Sequence, residues 1–180
     1  MGDYAKARKF AFVVLAESEM GPTKEFALDQ VELLDDYYLT AQNSDIEFLK
    51  KFDNDRLLSR FRETAGLDTK KIAPYGGWED GWLGGHSVGH YLTAIAQAVK
   101  ATGNADLKEK SKQLIKGLAE CQNKLGTGFI FGAKIETEGY VEKQFDILEG
   151  KTTGKTWVPW YNMHKTVSYT HLTLPTNSRV

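Results

Sequence analysis

The chain has 180 residues, 41% hydrophobic and 26% charged, which is the composition of one ordinary globular domain. Lys plus Arg number 23 and Asp plus Glu 24, for a net charge of -1. That balance leaves no electrostatic footprint for nucleic acid or for an anionic membrane. No apolar run reaches the roughly 20 residues needed to span a bilayer, and the single cysteine, Cys121, excludes an internal disulfide framework.

At the N-terminus Lys6, Arg8 and Lys9 precede an apolar run over residues 10–16. This is the outline of a signal peptide, but the run is at the short end for one, and Glu17 and Glu19 follow at once. For residues 1–21 the reading favours a surface helix or a poorly ordered end, and the cellular compartment is left open. Residues 35–52 read as one or two helices carrying Tyr38, Ile46, Phe48 and Leu49. Asp55 is a candidate cap for the next helix, in which Leu57, Leu58, Phe61 and Ala65 fall at helical spacing before Gly66. A helix over 86–102 holds Tyr91, Leu92, Ile95, Ala98 and Val99, and Gly103 stops it. Asn104 or Asp106 then caps the clearest helix. Its stripe is Leu107, Leu114, Ile115, Leu118, Cys121 and Leu125, and it ends at Gly126 and Gly128. Residues 129–133 are a short strand or an extended loop. No strand alternates with these helices, so the expected class is all-α, built from stacked helical hairpins.

Residues from 168 onward lack any helical period, although Pro159 suits the first position of a helix that should run further. The expectation is that native sequence stops near Val167 and that residues 168–180 are a non-native or disordered tail on a truncated chain.

Four elements could carry chemistry. In the first, Tyr75, Gly76 and Gly77 form a turn that would bring Trp78 and Glu79 to a loop rim, where an aromatic face and a carboxylate suit a sugar. The alternative buries Trp78 in the core and leaves Glu79 in solvent. In the second, His86 and His90 lie four apart at a helix start and share one side. Zinc usually takes three or four protein ligands, and only Glu79 is near enough in sequence to supply a third. The favoured reading is therefore a pair of hydrogen-bonding histidines, with two structural histidines as the alternative. In the third, Trp160, Met163 and His164 share a face after Pro159, beside Tyr161; either a sugar subsite or core packing fits. The fourth is Cys121, which has no adjacent histidine and reads as a small buried hydrophobe.

Taken in order, several stretches resemble one family. They are Asp55 to Leu58, Phe61 to Leu67, Tyr75 to Glu79, Gly85 to Ala94, Leu118 to Gln122 and Trp157 to Lys165. The series, across about residues 22 to 167, resembles the β-L-arabinofuranosidases of glycoside hydrolase families 127 and 146. The resemblance implies an (α/α)6 barrel followed by β-sandwich domains. It implies exo-hydrolysis of β-L-arabinofuranosyl groups from plant glycans or hydroxyproline-rich glycoproteins, with retention. It also implies a cysteine thiolate nucleophile held on zinc by a glutamate and further cysteines, with a second glutamate as acid/base.

Those groups belong to later parts of the barrel, and Cys121 does not match the nucleophile motif. The expectation is thus an N-terminal, inactive and aggregation-prone part of the catalytic domain, with no catalytic or metal-binding residue of its own. The intact family enzyme would use zinc, but this part would bind none. Its substrate-binding candidates are His86, His90, His164, Trp160, Tyr161, Trp78 and Glu79. Its expected partners are an arabinose-containing oligosaccharide or glycan and the missing part of its own domain. Another α/α-barrel carbohydrate enzyme (a lyase or an unsaturated glycuronyl hydrolase) and a non-catalytic helical carbohydrate-binding protein are the alternatives.

Overall fold

A computed structural model of the chain describes residues 25–133 and 140–167. The expectations for residues 1–21 and for the tail from Ser168 fall wholly or largely outside these. The described residues are all-helical and contain no strand. Six α-helices follow one another: α1 (Asp36–Lys50), α2 (Asn54–Thr64), α3 (His86–Thr102), α4 (Ala105–Leu125), α5 (Lys143–Leu148) and α6 (Pro159–Val167). Three single-turn 3-10 helices complete the set, at Leu28–Gln30, Gly77–Glu79 and Gly81–Leu83.

Local chemistry fixes most of the boundaries. Asp35 caps α1 by accepting from the Tyr37 N–H at 2.8 Å. Asp53, not Asp55, caps α2, accepting from the Asp55 and Arg56 N–H groups. Asp55 instead sits inside the first turn, where it pairs with Arg62 at 2.7 Å and with Lys70 at 3.1 Å. Asn104 is the cap of α4, through the Leu107 N–H at 3.0 Å. Residues 35–52 contain one helix rather than two. Residues 129–133 are irregular, with no ladder partner among the described residues. The short helix α5 was not legible in the sequence.

The core is the seam between α2, α3 and α4, joined by Ile46 of α1. Leu57, Phe61, Leu92, Ile95, Leu114 and Leu118 are all almost fully buried, and each contributes about 1.5–3 kcal/mol of burial. Of the four apolar residues expected to anchor α1, only Ile46 is buried; Tyr38 and Phe48 are exposed and Leu49 is half-buried. Ile115, expected on the α4 stripe, is also exposed. A second, smaller cluster joins Phe131, Ala133 and Phe145, with Met163 of α6 packed against it.

Helix α3 touches α1, α2, α4 and α6, so its placement decides where the other elements lie. Its closest neighbour is α6, and the crossing point is Gly89. A Cβ there would overlap the Lys165 backbone carbonyl, which permits only glycine without a shift of α6. We predict that Gly89→Ala destabilises the fold by about 1 kcal/mol net, an overpacking cost of about 2 kcal/mol less the ~1 kcal/mol that alanine gains in helix propensity. Urea unfolding of the two proteins checks this; an unchanged or raised midpoint would remove Gly89 as the crossing constraint.

Candidate functional site

All seven candidate residues lie near the N-terminal end of α3 or on α6, and the starting point is Glu79. Its turn is held from α2: Arg60 donates from Nε to the Glu79 carbonyl oxygen at 3.0 Å and from Nη2 to the Asp80 carboxylate at 3.0 Å. The Glu79 side chain then turns inward and is 3% exposed as a residue. The Gly85 N–H donates to Oε2 and the Ser87 N–H donates to Oε1, both at 2.7 Å. The residue that starts α3, Gly85, has no side chain with which to cap it. A glutamate six positions upstream supplies the anion that a helix N-terminus favours.

This arrangement leaves Trp78 exposed, as the rim reading has it, and overturns the rest of both sequence readings of the turn. Glu79 is neither on a rim nor in solvent, and Trp78 is not in the core but 65% exposed. The physical reason is that the two N–H donors and the helix field compensate a buried carboxylate, whereas nothing inside the fold claims the indole.

Crowding at the same point explains the paired glycines. Gly85 has φ of +85°, and a Cβ there would come within 2.6 Å of the Phe61 ring. The Gly84 carbonyl oxygen accepts from Nδ2 of the fully buried Asn162 of α6 at 3.0 Å. Asn162 and Arg60 are thus structural determinants of the site that sequence reading missed. Asn162 lay inside a stretch already singled out, but nothing in its spacing distinguished it from an exposed asparagine.

Around this frame four rings come together. The His86 imidazole lies 5.7 Å from Trp78 with planes 30° apart, and 6.3 Å from Tyr161 in a stacked arrangement. His90 meets His86 edge-on at 5.1 Å, as the i, i+4 spacing on α3 requires. The His86 side chain is 12% exposed, while Trp78, His90 and Tyr161 are exposed. The Lys165 ammonium stands 5.2 Å over the Tyr161 ring.

The structure does not bring the remaining two candidates into this group. Trp160 packs edge-on against Phe145 at 4.7 Å, on the second core cluster. His164 is exposed on α6 and has no ring contact with these four.

The cluster suits hydrogen bonding and stacking. Its exposed aromatic faces offer apolar contact, and its two imidazoles each present a donor or an acceptor. It does not suit a metal. Both Glu79 oxygens are engaged by backbone N–H groups, and among the described residues no group of three or more His, Cys, Asp or Glu could hold a metal ion. Zinc, which the family resemblance implies, therefore finds no fitting donor set among these residues. Cys121 lies 1% exposed in the α2–α3–α4 core, where burial pushes its thiol up to about 11.

Two concavities lie elsewhere. One, of about 450 Å³, runs between α2 and α4 beside Arg62 and Lys116; the other, of about 570 Å³, lies between α1 and α3 beside Phe48 and Ala98. Neither includes a residue of the ring cluster. Among the described residues no helix is long and apolar enough to cross a membrane.

Comparison with known families gives a match over most of the chain. Residues 30–170 fit the family model described as the β-L-arabinofuranosidase GH127 catalytic domain. No curated protein matches the chain.

Partial desolvation of the ring by its neighbours, although His90 is exposed as a residue, together with the nearby His86 and Lys165, holds the His90 imidazole below its ordinary value. The unfolded chain therefore binds the proton first as pH falls through about 6.5, and stability should decrease from there downward. His90→Gln should flatten that part of the stability–pH curve. Parallel curves for the two proteins between neutral pH and pH 5 would show that His90 contributes nothing to it.

Proposed function

The chain belongs to the β-L-arabinofuranosidase GH127 catalytic-domain family, and from that premise we propose that it forms part of the sugar-facing wall of a retaining glycoside hydrolase. The substrate class is a plant glycan or glycoprotein bearing terminal β-L-arabinofuranosyl groups. One observation carries this reading: Trp78, His86, His90 and Tyr161, from three separate stretches of chain, converge in a half-open cluster. The aromatic rings would cover the C–H face of the sugar and the imidazoles would bond its hydroxyls. Glu79 supports this wall from beneath, and Trp160 ties α6 to the second core. His164, exposed one turn along α6 from Tyr161, lies at the edge of the same helix and is kept as an outer contact.

We read the helices as the opening part of an (α/α)6 toroid. The exposed apolar side chains of Phe26, Val31, Leu34, Tyr37, Tyr38 and Phe48 support that reading. They mark one end of the chain as a face that neighbouring helices would cover. The nucleophile and the acid/base belong, on this proposal, to chain outside the described residues. Cys121 is excluded as the nucleophile because a thiolate is the reactive form and this thiol is buried and held protonated. Zinc, where the complete family domain binds it, would keep a nucleophilic thiol deprotonated; no residue described here is assigned to it.

The test is kinetic. The purified chain should not hydrolyse an aryl β-L-arabinofuranoside, while a complete catalytic domain carrying this segment should do so with retention. In that domain Cys121→Ala should leave kcat unchanged. His86→Ala should lower kcat/KM by at least about two- to twelve-fold, the equivalent of losing one neutral hydrogen bond worth ~0.5–1.5 kcal/mol. Wild-type kinetics in His86→Ala, or turnover by the isolated chain, would contradict the proposal.

A further inference from the structure

We infer that Glu79 is a positioning residue for His86: its fixed carboxylate holds the imidazole as the Nδ1–H tautomer and leaves Nε2 as a hydrogen-bond acceptor toward the open side of the cluster. The use of that acceptor by a sugar hydroxyl rests on the reading of the cluster given above; the tautomer does not.

The geometry supplies three constraints. First, the carboxylate is immobile, because each of its oxygens accepts a backbone N–H at 2.7 Å from the start of α3. Second, His86 Nδ1 lies 3.6 Å from Glu79 Oε1, with the two side chains 12% and 4% exposed. That distance is too long for a good hydrogen bond but short for electrostatics in a place with little water to screen it. A carboxylate offers only lone pairs. A hydrogen on Nδ1 is attracted to it, whereas the Nδ1 lone pair of the other tautomer would be repelled. Third, the ring plane stands at 30° to Trp78 and 21° to Tyr161, and of the two flips that keep this plane the structure has the one that turns Nδ1 toward Glu79.

The nearest competitor is the Ser87 hydroxyl, 3.4 Å from the same nitrogen. It either accepts from Nδ1–H or donates to a bare Nδ1, so by itself it selects neither form. The carboxylate breaks the tie. The consequence is directional recognition: Nε2 accepts from a hydroxyl, and a ligand offering only an acceptor at that point would be disfavoured. It also gives Glu79 a role that needs no contact with the ligand.

The experiment is a long-range ¹⁵N–¹H correlation spectrum of the histidine rings in the 180-residue chain at a pH where they are neutral, without sugar. The His86 signals are assigned by their disappearance in His86→Gln. We expect the downfield, hydrogen-free nitrogen of His86 to be Nε2 in the wild type. In Glu79→Gln it should shift toward Nδ1, the form free imidazoles favour in water, whereas Ser87→Ala should leave the wild-type pattern intact. A wild-type His86 with its hydrogen on Nε2 would overturn the inference even if the Glu79 variant failed to fold. So would a tautomer that switches in Ser87→Ala and not in Glu79→Gln. If the Nδ1–H form is found but His86→Ala is kinetically silent in the complete domain, the sugar reading fails and the positioning role of Glu79 stands.

Discussion

The fold turns on one buried carboxylate. Taking an ion out of water costs several kcal/mol even after relaxation, so Glu79 is tolerated inside only because α3 begins there. The helix presents free N–H groups and the positive end of its dipole, and two of those groups reach the carboxylate at 2.7 Å. The dependence is mutual. Helix α3 starts at a glycine that cannot cap it, and without Glu79 its first turn would carry unpaired donors inside the protein.

Much of the surrounding architecture serves this junction. Arg60 of α2 clamps the turn that carries Glu79. Gly84 and Gly85 let Phe61, Gly132 and the α6 residue Asn162 approach the same point. Gly89, one turn later, lets the α6 backbone close onto α3. Helix α6 arrives at a set height and angle, and Tyr161 is thereby brought opposite His86. The ring cluster on the surface is thus a product of backbone packing below it.

The helical parts of this design were legible in the sequence wherever a local rule decides them. The stripe from Leu107 to Cys121, the glycine stops at 103 and 126, and Pro159 opening α6 all depend on neighbours within a turn. The ordered motifs also carried the family, which the match over residues 30–170 shows. What could not be read were choices made by distant partners. Glu79 looks like a rim carboxylate until α3 is seen to need a cap, and Asp55 looks like a cap until Asp53 takes that place and Arg62 claims its side chain. Trp160 and His164 share the motif with Tyr161, yet helix geometry turns only Tyr161 toward His86. The seven candidate residues were selected as one set by type and spacing; the fold divides them into a capping anion, four clustered rings, a packing tryptophan and an exposed histidine.

The functional account gives this region recognition rather than bond-breaking. On the proposed reading, aromatic faces and imidazoles would bind and orient a sugar and would supply neither a thiolate nor a metal. The most direct test is a crystal structure of a complete catalytic domain carrying this segment with arabinose bound. The account predicts the furanose ring in contact with Trp78 or Tyr161, with a hydroxyl donating to His86 Nε2 and Glu79 still buried on the α3 N-terminus. A sugar bound away from all four rings, or one whose hydroxyls bond Glu79 directly, would contradict it.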